Sequence, residues 1–260
     1  MTRLLFEQKG PIGCLTLNNP NNLNAMTHEM GEAIQAMVPQ LNANKDLRVV
    51  ILTGAGRAFS AGGDLDFILE HSKKSLAENQ KEMVEFYGKF LTLRDIEVPT
   101  IAMLNGPAIG AGLLIALACD LRYAVAGTKL AANFSKLGIS SGMGGLYWLT
   151  KVAGPARTAD LMLTGRTFSS EEGLSLGLIN GIFSAEQLKA QVQDIAEQIA
   201  RNAPIALKII KKGIQKAVTA TLEEVIDYES RGQAQTFITE DLIEGVAAIR
   251  EKRPPKFQGK

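Results

Sequence analysis

The sequence predicts an α/β fold, on three observations. Val49-Val50-Ile51-Leu52-Thr53 is an apolar, β-branched run bounded by a glycine-rich turn, which is how a strand buried on both faces of a parallel sheet reads. Thr100-Ile101-Ala102-Met103-Leu104 repeats the plan, and each run opens into small residues and then a helix. The 260 residues are enough for one large α/β domain, or for a core with a small appendage.

The elements follow in order. Leu4 to Lys9 and Ile12 to Leu17 alternate around Gly10-Pro11 and read as a β-hairpin. Asn18 to Asn24 is a polar turn cluster around Pro20. Thr27 is an N-cap, and Met30, Ile34, Met37, Val38 and Leu41 trace one helical face to about Asn44. After the strand at Val49, residues Leu65 to Leu93 carry helical spacing broken by Ser72-Lys73-Lys74-Ser75. A short helix, a mobile connection and a helix from about Leu76 to Asp95 are expected there. The strand at Thr100 leads through Asn105-Gly106-Pro107-Ala108-Ile109-Gly110-Ala111-Gly112 into an apolar helix from Leu113 to Cys119. Leu121 to Ala124 and Lys129 to Ala131 read as short strands. Asn133 to Trp148, with four glycines, reads as an ordered loop ending in a helix start. Pro155 to Leu163 is helical, Ser169-Ser170-Glu171-Glu172 is a capping box, Gly177 stops that helix, and Ile179 to Phe183 is a last strand. From Ser184 the signal is all helix, with capping boxes at Ser184/Gln187 and Thr221/Glu224 and Pro204 in a first turn. Residues 1–200 are thus expected to form the α/β core and 201–260 a helical C-terminal region.

Bulk properties exclude several classes of function. An apolar content of 46% with 21% charged residues is globular, not disordered. A net charge of +1 leaves no footprint for nucleic acid or an anionic membrane, so neither is an expected partner. The longest apolar stretch, Ala108 to Cys119, is too short to span a bilayer. Arg3, Glu7 and Lys9 interrupt any secretory apolar segment, and Cys14 and Cys119 form no disulfide framework, so a cytoplasmic location is expected. His28 and His71 show no ligand spacing, and no metal is expected.

The chemistry lies in the two strand-to-helix turns. Ala61, Gly62 and Gly63 carry almost no side chain, so a ligand can approach the main chain, and Asp64 stands where a helix N-cap belongs. Two neighbouring turns of this kind can each aim one N–H at the same oxygen, which is how an oxyanion hole is built. Other readings fit less well. Gly54-x-Gly56 is followed by Phe59 rather than a third glycine, and the turn at Gly106 lacks the Lys-Ser/Thr of a phosphate loop. No Gly-x-Ser-x-Gly elbow surrounds Ser60, Ser140 or Ser141. An enolate oxygen of a thioester is the negative charge that two such N–H groups suit best.

At these residues the sequence resembles the crotonase superfamily, the enoyl-CoA hydratase/isomerase family, over nearly its whole length. The landmarks are Asn24-Ala25-Met26, Ala58 to Leu65, Pro99 to Ala102, Asn105 to Gly112, Cys119-Asp120, Leu163 to Arg166, Gly177-Leu178-Ile179 and Glu251-Lys252-Arg253. The resemblance implies a repeated ββα spiral core, C-terminal helices that make homotrimers or hexamers, and a CoA thioester as substrate. No cofactor beyond that coenzyme A is implied. It implies that Gly63 and Ala111 are the oxyanion N–H donors, with plain turn geometry as the competing explanation. It implies that Ala25, Ala61 and Leu65, with Gly62, Asp64 and Gly110 beside them, line the CoA site. Lys252 matches a basic residue that in relatives reaches the CoA phosphates, and would otherwise be a solvated charge.

The chain departs from the family where hydratases carry two glutamates. Those positions fall at Leu114 and Phe134, and the aspartate of other members falls at or near Gly142. Each acid/base group contributes about 10²–10⁴-fold, so hydration should be slow unless His71, Tyr87, Ser140, Ser141 or Tyr147 substitutes. Hydratase or isomerase chemistry through a thioester enolate is the expected function. An acyl-CoA decarboxylase or hydrolase, and a non-catalytic acyl-CoA-binding protein, are the alternatives.

Overall fold

A computed structural model describes residues 2–260. The chain opens with the hairpin β1 (Leu4–Lys9) and β2 (Ile12–Leu17), then α1 (His28–Ala43) and β3 (Val49–Gly54). Next come α2 (Leu65–His71), α3 (Leu76–Leu91), β4 (Thr100–Leu104), β5 (Ala108–Ile109) and α4 (Ala111–Leu117). Strands β6 (Leu121–Val125) and β7 (Lys129–Ala131) precede α5 (Gly145–Ala153), α6 (Pro155–Thr164), β8 (Thr167–Ser169), α7 (Ser170–Ser175) and β9 (Gly181–Phe183). Four helices end the chain: α8 (Ala185–Ala200), α9 (Pro204–Ala217), α10 (Leu222–Phe237) and α11 (Glu240–Glu251).

The main sheet has six strands in the order β1-β2-β3-β4-β6-β9. Only β1 and β2 are antiparallel; Val50 pairs Thr100 and Ile101 pairs Leu121 in the parallel part. The strand at Val49 is buried along its whole length because both sheet faces are covered. Val50 and Leu52 join the larger core with Leu15, Leu104, Phe59 and Phe90. Val49 and Ile51 point the other way, onto Leu188, Val192 and Ala196 of α8. Helix α8 therefore belongs to the core and closes the sheet's second face.

A smaller sheet, β5-β7-β8, stands beside the first. The sequence reading did not include β5 or β8. Strands of two and three residues carry no period of their own, and form because Ala108 and Ile109 pair with Leu130 and Ala131, and Leu130 with Phe168. Two capping boxes also need correction. Ser184 is an N-cap whose side chain accepts no amide. Ser169 accepts from Glu172 N, but the Glu172 carboxylate does not return the bond; it takes the Arg166 guanidinium at 2.6 and 3.0 Å. A bidentate bond between two opposite charges outweighs a single bond from the uncharged cap amide to the same carboxylate. The box at Thr221/Glu224 is complete, and a further complete one lies at Ser75/Glu78.

Helix α9 is fastened to the core by a buried ion pair. Lys211 Nζ lies 2.8 Å from Asp120 Oδ2 and donates to Val98 O at 2.9 Å. Asp120 Oδ2 also accepts from Thr100 N and Oγ1. Lys211 is sealed while Asp120 keeps some contact with water, so removing the carboxylate would leave a buried ammonium with only Val98 O and Thr100 Oγ1 as partners. Beyond it, Ile210, Ile214, Ile226, Ile243 and Ile249 leave a broad apolar face exposed on α9, α10 and α11. No helix among the described residues is long and apolar enough to cross a membrane.

Candidate active site

The turn after β3 and the turn after β4 are tied to one another. Asn24, fully buried, donates from Nδ2 to Ala55 O and Ala58 O, both at 2.8 Å, and its Oδ1 accepts from Asn19 N. Asn105 donates to Gly54 O and Gly56 O and accepts from Gly54 N. Phe59 N and Ser60 N both donate to Pro107 O, and Ile109 N donates to Ser60 O at 3.0 Å. Glycine permits the approach: a Cβ on Gly106 would lie 2.1 Å from Arg57 O, and one on Gly112 2.4 Å from Ser60 O. The sequence reading took Asn24 and Asn105 as landmarks without a role; they are the clamps that hold the two turns in register.

Among the main-chain N–H groups of these turns, those of Gly63 and Ala111 have no acceptor among the described residues. Gly63 forms an isolated parallel bridge with Met26, in which Met26 N donates to Gly62 O at 2.7 Å and Asp64 N to Met26 O at 3.4 Å. That pattern turns the N–H of Gly63 itself to the opposite side. Ala111 opens α4, and its N–H is one of the orphan donors of a helix N-terminus. Gly110 sets it with φ 53° and ψ −123°, a conformation that only glycine adopts without strain. The two turns approach closely here, since a Cβ on Gly62, the residue before Gly63, would come within 3.3 Å of Ala111 N.

Both residues face one cavity of about 630 Å³. Ala25, Ala61, Gly62, Asp64, Leu65 and Gly110 line it, as do Phe134, Tyr87, Ser140 and Gly142. Helices α2 and α3 supply a wall that sequence reasoning did not assign: Phe67, Ile68, Met83 and Phe86. Their signal was present in the spacing of Met83, Phe86, Tyr87 and Phe90, but one helical stripe serves core and cavity alike. Asn133, at the start of the turn Phe134–Leu137, also lines the cavity.

The remaining candidates are elsewhere. His71 places Nδ1 2.7 Å from Phe67 O, its ring edge-on to Phe67, with Glu82 Oε2 3.0 Å from Nε2 but out of line for a hydrogen bond. It fastens α2 to α3 rather than lining the cavity. Ser141 packs beside Gly145 behind the wall. Tyr147 is exposed and edge-on to Trp148 at 4.9 Å. Lys252 is the exposed C-cap of α11, with φ 53°, away from the cavity wall.

The two apolar positions differ in kind. Leu114 is 0% exposed and packs on Gly145 within the core, outside the cavity lining, whereas Phe134, 8% exposed, forms part of the wall. The carboxylates at the rim are Asp64 and Asp66. Asp64 is occupied: Oδ1 caps Asp66 N and Phe67 N, and Oδ2 accepts from Asn22 Nδ2 at 2.6 Å. Neither lysine nor arginine lines the cavity among the described residues. Burial pushes the Tyr87 phenol up from its ordinary value, so it stays protonated. Main-chain N–H groups that meet at one point of an apolar cavity can hold an oxyanion; they supply no acid or base of their own.

Known proteins resemble the chain over nearly its whole length. A family model described as enoyl-CoA hydratase/isomerase matches residues 7–260. The chain is 33% identical to a probable enoyl-CoA hydratase (echA8) of Mycobacterium tuberculosis, over 98% of this chain and 97% of that protein. It is 34% identical to the 1,2-epoxyphenylacetyl-CoA isomerase of Escherichia coli, over 99% and 98% of the two chains. The crystal structure of an enoyl-CoA hydratase from Bacillus anthracis superposes with a TM-score of 0.93 at 30% identity, covering 99% of this chain and 100% of that one.

Proposed function

The chain belongs to the enoyl-CoA hydratase/isomerase family, and from that premise we propose that it transforms an acyl- or enoyl-CoA thioester by holding its enolate oxygen between the N–H groups of Gly63 and Ala111. The observation that carries this reading is the pair of neighbouring amides, both without an acceptor among the described residues, beside one cavity. Charge developing on the thioester oxygen would meet donors already in place, so no reorganisation opposes it. Ala25, Ala61, Gly62, Asp64, Leu65 and Gly110 would hold the coenzyme along the main chain, and coenzyme A would enter only as part of the substrate. Lys252 would reach a CoA phosphate beyond the cavity mouth, from the same chain or a neighbouring copy.

Proton transfer would not run through Leu114 or Phe134. Hydration would therefore be slower than in a two-carboxylate enzyme by about 10²–10⁴-fold per absent group. Decarboxylation has less support, because a carboxylate on the acyl group would meet no cation in the cavity. The exposed apolar face of α9, α10 and α11 supports self-association, which we read as a homotrimer or a hexamer.

The test is loss of the conjugated enoyl-thioester absorbance when purified protein meets a short enoyl-CoA, alongside calorimetric binding of the same compound. Binding with slow turnover above the buffer rate is expected. Binding with no turnover of any enoyl- or acyl-CoA would leave a carrier rather than an enzyme, and no binding would remove the thioester reading altogether.

A further inference from the structure

Resting on the thioester reading, we propose that Tyr87 selects the acyl group by donating a hydrogen bond to an uncharged oxygen, a carbonyl or hydroxyl, that the acyl chain carries beyond the thioester. Tyr87 stands on α3, held in place by Phe86 and Phe90 on the same helix, both buried. Its phenol lines the cavity and lies against Gly142. A Cβ on Gly142 would come within 2.5 Å of Tyr87 Oη, so the hydroxyl fills the room that a side chain at 142 would need. The polar group at that point of the wall is thus a phenol from α3, not a carboxylate from the 142 loop.

Three features say what this hydroxyl recognises. It makes no hydrogen bond to the described residues, yet it is not among the sealed polar atoms, so its proton faces the open cavity. A donor that only water satisfies is free to exchange that water for a ligand oxygen, at a net gain of the size of one neutral hydrogen bond. The wall around it is apolar, with Phe86, Met83, Phe134 and Met143, so the donor marks one position rather than a general polarity. With no lysine or arginine in the lining, a charged oxygen would be desolvated without compensation, and only a neutral acceptor fits.

The experiment compares calorimetric affinities of butyryl-CoA, its 3-hydroxy and 4-hydroxy forms, and succinyl-CoA, for the wild type and Tyr87→Phe. The wild type is expected to bind one hydroxylated form about three- to tenfold tighter than butyryl-CoA, the size of one neutral hydrogen bond. Tyr87→Phe should erase that gain, leave butyryl-CoA within about twofold, and keep or slightly raise the melting temperature, because the hydroxyl removed has no partner in the folded protein. Equal wild-type affinities for all neutral forms, a gain that survives Tyr87→Phe, or tighter binding of succinyl-CoA would overturn the inference while leaving the thioester site standing. Loss of butyryl-CoA binding in Tyr87→Phe would mark the residue as structural and overturn it too. Failure of the wild type to bind any of the four would overturn the thioester reading and this inference with it.

Discussion

The turns after β3 and β4 present the N–H groups of Gly63 and Ala111, neither with an acceptor among the described residues, yet the helices that follow them are held by different means. The first leads into α2, a helix with no fully buried residue, held by polar contacts at the surface and by Phe67 stacked on Phe86 at 4.8 Å. Asp64 caps its amides and takes Asn22, and His71 anchors its far end beside Glu82. The second leads into α4, whose seven residues are all buried and whose N-terminus has no side-chain cap. Polar bonds near water are each worth about 0.5–1.5 kcal/mol, and burial of a large apolar side chain about 1.5–3 kcal/mol. The Ala111 donor is therefore followed by a sealed helix. The Gly63 donor, bridged to Met26 on one side, is followed by a helix that is only partly buried and latched at the surface, so the two sides should respond to mutation on different scales.

The largest effect is expected from Leu114→Glu. It would place a carboxylate in the sealed interior under Gly145 with no partner, at a cost of several kcal/mol. Phe134→Glu, at the cavity wall, should remain folded. Thermal unfolding of the two variants checks this; equal stabilities would mean that α4 is not sealed and the contrast fails.

Gly110→Ala comes next. An alanine at φ 53° and ψ −123° is strained by about 1–3 kcal/mol, and relief of that strain would turn the Ala111 N–H away. Melting temperature and thioester affinity should fall together. A loss of stability with unchanged affinity would separate the Ala111 donor from the site.

The smallest effect is expected from Asp64→Ala, which removes the α2 cap at about 0.5–2 kcal/mol. Because α2 has no fully buried residue, the loss should show as faster amide exchange confined to residues 65–71, with little change in global unfolding. A fall in global stability as large as that of Gly110→Ala would erase the distinction between latch and core.

Both turns were readable in the sequence, and so was the hairpin, because their signals are local. Val49 to Thr53 and Thr100 to Leu104 announce buried strands by composition, and Thr27 and Thr221 cap helices within three residues of themselves. The cavity was only half readable. Its main-chain half comes from the glycine turns, but its wall comes from Phe67, Met83 and Phe86, whose helical spacing is the same whether the stripe meets core or void. His71 is close in sequence to Asp64, Asp66 and Glu70, yet its ring lies beside Glu82 of α3. Leu114 and Phe134 look alike as apolar replacements, and only packing separates a core residue from a cavity residue.

By itself the sequence determined the backbone: where strands run, where glycine admits a positive φ, where a helix is capped, and hence that Gly63 and Ala111 open adjacent strand-to-helix turns. Those choices depend on torsional and hydrogen-bond energies within a few residues. Tertiary structure alone decided which side chains surround the donors, since Tyr87 meets Gly142, and Leu114 meets Gly145, only once elements distant in the chain pack together.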